Sequence, residues 1–155
     1  MVLDRLRAEH RQVLRVMDRI QTALFSDEGG GVVRIGEARF ETQHILRDHF
    51  AFKDAFVFRI IAASDRPGMA VTGRRLRAQG QAIAEAYHAH LERWDPSNMA
   101  ASWTAYRDAS LEMIRRLRDL VERERRYLYP LLEAEMVASS HSEATSFSGR
   151  RTAVR

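Results

Sequence analysis

The chain has 155 residues, no cysteine and a formal net charge of +4 at neutral pH. That length suits one compact domain, and the lack of cysteine excludes disulfides, thiolate metal sites and cysteine nucleophiles. No apolar run reaches the roughly 18 to 20 residues that span a bilayer. The N-terminus is charged from Asp4 onward, unlike a secretory signal, so a cytoplasmic protein with no membrane partner is expected. Arginines alternate with acids, as in Glu122-Arg123-Glu124-Arg125-Arg126, the pattern of a solvated helix face rather than of a nucleic-acid surface. Lys53 is the only lysine in the chain.

Apolar residues recur with helical period in four segments. The first helix carries the seam Leu3, Leu6, His10, Val13, Met17, Ile20, Leu24, and the run Asp27 to Gly31 reads as a break after it. The second carries Ile35, Ala38, Thr42, Ile45, His49, Phe52, Phe56, with a neighbouring register Leu46, His49, Lys53, Phe56, Ile60. Asp65-Arg66-Pro67-Gly68 reads as a turn. The third carries Leu76, Gly80, Ile83, Tyr87, Leu91, Trp94. Asp95-Pro96-Ser97-Asn98 closes it, with Pro96 suited to the first turn of the next helix. The fourth carries Trp103, Tyr106, Ser110, Met113, Leu117, Leu120, Glu124, Tyr127, Leu131, and Pro130 should kink or end it. Short connections between long helices predict an all-α, antiparallel up-down four-helix bundle over residues 1–137. Residues 138–155 are polar and are expected to form a disordered tail.

Four residues break the apolar seams with charge or imidazole. They are His10, His49 and Glu124 on the main seams and Lys53 on the alternate one. Buried charge is costly unless it is paired or binds a metal. His10 and His49 both lie roughly 21 Å from the turn they share, at about 1.5 Å per residue, and should face each other. The same count places Gly80 to Ile83 of the third helix at that level. It fits the fourth helix less well, because Glu124 is too far from the turn at 95–98.

The segments Glu9-His10, His49 to Asp54, and Glu124 to Leu132 resemble the hemerythrin-like, HHE cation-binding family over about residues 3 to 135. The resemblance implies an antiparallel four-helix bundle with a di-iron centre held by histidines and carboxylates. It also implies oxygen, nitric oxide or iron sensing, or iron storage and repair. Carried over by position, His10, His49 and Glu124 match family ligands. Lys53 stands where a glutamate is expected, Gly80 where the third-helix histidine is expected, and Leu120 where the fourth-helix histidine is expected.

A lysine at a bridging position inverts the local charge, and its ammonium could itself take the cation's place beside Glu124. A degenerate di-iron site without cofactor is therefore the first expectation. The corresponding function is a non-enzymatic regulatory or protein-binding module, with no catalytic residue, whose partner is another protein or a second copy. A metal- or gas-binding sensor is the alternative. It would use His10, His49 and Glu124 for mononuclear iron or zinc, or a di-iron centre that recruits His44, Glu41, Glu85 or His88. His88 and His90, two apart, should point to different faces at the surface or rim, and His44 should lie at the surface. Phe52 and Phe56 are expected in the core. Phe50 and Phe58 lie off the seam as a candidate protein-facing patch, and Trp94 and Trp103 should pack the bundle end.

Overall fold

A computed structural model describes residues 1–26 and 28–148, with the side chains of 28–32 and 142–148 outside the description. Among the described residues all regular structure is helical. Helix α1 spans Val2–Leu24 and α2 spans Glu28–Phe52. A π-helical turn, Lys53–Val57, joins α2 to α3, Phe58–Ala62. Helix α4 spans Met69–Arg93, the short α5 spans Pro96–Ala101, and α6 spans Trp103–Ser148. With α2, the π turn and α3 as one rod, the long elements pack in a ring in which α1 touches α2 and α6, and α4 touches α3 and α6. This is the expected bundle.

Each helix buries the stripe that its periodicity specifies. Leu3, Leu6, His10, Val13, Met17, Ile20 and Leu24 are all buried on α1. The apolar core is divided in two. One cluster gathers Met17, Leu46, Ile83, Tyr106, Leu117 and Val121. The other gathers Leu6, Phe52, Val57, Ile61, Leu76 and Leu128. Between them lies a layer of buried polar side chains, His10, His49, Lys53 and Glu124.

The π turn changes the register of the second rod. The Phe58 N–H reaches back to the Lys53 carbonyl, five residues rather than four, and this wider turn adds one residue to the repeat. From its last residue onward Val57, Phe58 and Ile61 face the core, while Phe56 is 49% exposed. Phe56 was expected inside and Phe58 on the surface, so both expectations are reversed by this shift. Tyr127 on α6 was also expected on the seam but is exposed, and Leu128 and Leu132 take the inner face. The steps from Leu120 to Glu124 and from Glu124 to Leu128 are both four residues, so the strict three-four alternation that put Tyr127 on the stripe breaks at Glu124.

Three boundaries differ from the sequence expectation. After Leu24 the chain turns tightly, with Ser26 N–H bonded to the Ala23 carbonyl. Helix α2 begins at Glu28, so the three glycines belong to the helix rather than to the break, and Asp27 lies outside the described residues. Pro130 sits inside α6 without ending it. Its fixed φ suits a helix, and it forfeits one backbone bond. The polar segment from residue 138 continues α6 as far as Ser148, with Ser139, Ser140 and His141 exposed. Residues 149–155 lie outside the described residues.

Helix α5 resolves the level of Glu124. Asp95 caps it, accepting from Asn98 N–H at 2.8 Å, with Pro96 in its first turn. The chain therefore travels farther before it reverses at Ser102, and Gly80 and Glu124 lie equally far from that residue, 22 positions before and after it. Trp94, buried, and Trp103, half-buried, pack against Tyr106 at this end.

Candidate metal centre

The polar layer is built from three of the four rods. His10 comes from α1, His49 from the last turn of α2, Lys53 from the start of the π turn and Glu124 from α6. None is more than 3% exposed. The His10 and His49 rings lie edge to face with centroids 5.0 Å apart, as the level count expected.

Glu124 is the hub. Lys53 Nζ donates to its Oε1 at 2.5 Å, and His10 Nε2 lies 2.8 Å from its Oε2. His49 Nε2 is 3.9 Å from the same Oε2. Burial pushes the Glu124 carboxyl upward, but the Lys53 charge, the His10 hydrogen bond and the two imidazoles outweigh it and hold the carboxyl at about 2. The ionised carboxylate can only accept, so His10 carries its proton on Nε2. In that tautomer Nδ1 accepts from the Tyr129 hydroxyl at 2.6 Å. Burial raises the Tyr129 pKa, which keeps that hydroxyl a donor.

His49 is oriented from its other nitrogen. Its Nδ1 lies 3.1 Å from Glu9 Oε2, and Glu9 Oε1 accepts from Arg5 Nε at 2.9 Å. Burial lowers the His49 pKa to about 4 against the Glu9 hydrogen bond, and the Lys53 charge lowers it further. The neutral ring donates through Nδ1–H and leaves the Nε2 lone pair facing the centre. Such outer partners fix imidazole orientation in metal sites generally.

The donor atoms of His10, His49 and Glu124 lie within 4.8 Å of one another, so these three groups could hold one metal ion. The set of two imidazoles and one carboxylate suits iron(II) or zinc. One carboxylate oxygen, however, already carries the Lys53 ammonium. The two remaining positions of interest add no donor. Leu120 is buried in the apolar cluster below the centre. Gly80 is buried at the same level as the pair, and a Cβ there would lie 3.7 Å from Lys53 Nζ and 4.0 Å from Glu124 Oε1. The Lys53 ammonium also lies 4.7 Å from the centre of the Phe50 ring, a cation–π contact.

Of the side chains expected as recruits to a di-iron centre, His44 sits half-exposed with its ring against Phe40, Glu41 pairs with Arg19, and Glu85 and His88 are exposed. His90 corrects the surface-or-rim expectation. It follows Tyr87 by three residues on the inner side of α4, is half-buried, and stacks on Tyr106 with centroids 6.0 Å apart. Its Nε2 is 3.3 Å from Ser110 Oγ. Burial, with the Arg39 charge, lowers its pKa to about 4. His90 and Ser110 line a small pocket with Arg39, Thr42 and Tyr87, and the buried Tyr87 hydroxyl has no hydrogen-bond partner among the described residues.

Glu9, Arg5 and Tyr129 support the centre without being marked in the sequence. None of them interrupts an apolar seam, the feature that marks the other four. Glu9 adjoins His10 and Tyr129 follows Glu124 by five residues, so both lie inside the segments that carry the resemblance, yet neither stands at a ligand position. No helix of the described residues is long and apolar enough to cross a membrane. No curated protein and no solved structure matches the chain. The family model described as the hemerythrin HHE cation-binding domain matches residues 1–132, which spans every residue of the centre, and the chain therefore belongs to that family.

Proposed function

We propose that this domain is a non-enzymatic regulatory or protein-binding module in which the Lys53 ammonium replaces a bound cation. The observation that carries this reading is the 2.5 Å contact between Lys53 Nζ and Glu124 Oε1 inside the polar layer. A buried carboxylate needs a positive partner, and the chain's only lysine supplies it. Gly80 and Leu120, which add no donor, support the same reading. The centre is closed, with four polar side chains at most 3% exposed, so a substrate has no direct approach to it. Exposed apolar side chains, Val33 at 69% and Phe40 at 67% on α2, favour a protein partner or a second copy,.

Metal analysis of protein produced with added iron and zinc tests this directly. Well under one metal ion per chain is expected. Two irons per chain with an oxo-bridge absorption would overturn the proposal.

The convergence of His10, His49 and Glu124 favours a second reading, a metal- or gas-binding sensor with one iron or zinc. Lys53 would have to turn away from Glu124. In that case His49→Ala and Glu124→Ala abolish metal uptake and His88→Ala does not, since His88 is exposed and remote from the centre. Equal effects from all three variants would remove its basis.

A further inference from the structure

The outer surface behind the polar layer carries a groove between α4 and α6. Its volume is about 440 Å³, and Thr72, Arg75, Leu76, Gln79, Arg123 and Tyr127 line it. That volume lies within the usual range for small-ligand pockets. Leu76 is buried at its floor, while Arg75 and Tyr127 are exposed at its edge.

The hydrogen-bonding character of this groove is one-sided. Among the described residues no carboxylate lines it. Arg123 Nη1 donates to Gln79 Oε1 at 3.2 Å, which engages the amide's acceptor and leaves its NH₂ as a donor,. Among the described residues neither Arg75 nor Arg123 is paired with an acid. Two guanidinium groups, an amide NH₂ and the Thr72 hydroxyl thus surround one concavity. The adjacent groove on the other side of α4 differs, because Asp54 lines it and pairs with Arg77 at 2.8 Å.

We propose that the α4–α6 groove binds a small phosphate-bearing ligand. Two arginine forks and two further donors exceed what the two oxygens of a carboxylate can use. They match the three terminal oxygens of a phosphate monoester. Tyr127 offers an aromatic surface at the rim for a ring carried by the ligand, beside the Arg126 guanidinium 5.5 Å from its own ring centre. Gln79 and Arg123 directly precede Gly80 and Glu124 in the chain. A ligand held there contacts the two helices at the level of the Lys53–Glu124 pair. This assignment is independent of whether the centre holds a metal.

Calorimetric titration of the full chain at low salt with inorganic phosphate, adenosine monophosphate and adenosine tests the proposal. The two phosphates are expected to bind saturably at one site with a Kd of about 1 mM or tighter, and neutral adenosine should not bind. Arg75→Gln and Arg123→Gln should each weaken phosphate binding about tenfold or more. Arg118→Gln, which breaks a surface pair with Asp18 away from the groove, should change it less than about twofold. If Arg123→Gln fails to fold, Arg75→Gln alone decides. Tyr127→Ala should remove any advantage of the nucleotide over inorganic phosphate. Non-saturating heats, or equal losses from Arg118→Gln and Arg75→Gln, would overturn the proposal. Affinity that rises with the length of a single-stranded oligonucleotide would also overturn it, since a small-ligand site has no use for a longer strand.

Discussion

Lys53 Nζ lies 2.5 Å from Glu124 Oε1, with 1% of one side chain and 0% of the other exposed. The two residues are 71 positions apart and come from the π turn and α6. Removing water from both charges costs several kcal/mol per ion, and mutual attraction offsets this only where the geometry is good. The pair therefore adds little net stability while making each partner dependent on the other.

That dependence sets the first expectation. Lys53→Met should destabilise the domain by about 3–5 kcal/mol, because it strands a buried carboxylate. Lys53→Met combined with Glu124→Gln should cost much less than the single change. A urea-unfolding double-mutant cycle measures the coupling. Additive costs would show that the two charges do not support one another. Lys53→Glu places a second carboxylate at Glu124 and should be at least as damaging without metal. If added iron or zinc raises its midpoint more than that of the parent, the lysine substitution is what displaced the cation.

Tyr129 orders the His10 ring from the far side. Tyr129→Phe removes the 2.6 Å hydrogen bond to Nδ1 and should cost about 1 kcal/mol. It should leave the Nε2–H tautomer in place, because the Glu124 carboxylate demands a donor there. Imidazole nitrogen shifts in NMR report the tautomer, and a switch to Nδ1–H in the parent protein would contradict the arrangement.

Acid should weaken the domain in two stages. His49 and His90 have folded pKa values lowered from 6.5 to about 4, so between those values the unfolded chain binds more protons than the folded one. Stability from this source is complete above about pH 6.5 and is lost as pH falls toward 4. The Glu124 carboxyl, lowered from 4.5 to about 2, contributes stability that is lost below about pH 4.5. Urea midpoints should therefore drop between pH 7.5 and 4.5, and His90→Gln should flatten part of that drop. An unchanged slope in the variant would mean that His90 titrates freely in the folded state.

Two buried glycines on α4 should respond oppositely to alanine. At Gly73 a Cβ would lie 2.4 Å from Ile61 Cγ2, an overlap expected to cost about 1–3 kcal/mol. At Gly80 the nearest atom to a Cβ is Lys53 Nζ at 3.7 Å, an ordinary contact, so Gly80→Ala should gain up to about 1 kcal/mol from helix propensity. Thermal midpoints moving the same way in both variants would contradict the packing described.

Much of the architecture was legible from residue order. Period-3.6 seams place Leu6, Met17, Ile83 and Leu117 inside because a helix of that composition has only one apolar stripe to bury. The same periodicity places His10, His49 and Glu124 inside, and charge breaks in an apolar seam are conspicuous. Lys53 was visible as the sole lysine on an alternate register. What the sequence could not settle was the register beyond Lys53, since a π turn and an α turn accommodate the same residues. Packing alone chose Val57 and Phe58 over Phe56. The level of α6 likewise depended on α5 lengthening the last connection. The contacts of Glu9 and Tyr129 with the two histidines arise where different helices meet. By itself the sequence determined a bundle with His10, His49, Lys53 and Glu124 drawn inward. Only the tertiary structure decided that Lys53 reaches Glu124, because that contact depends on the hydrogen-bond pattern of one turn and the relative height of two helices.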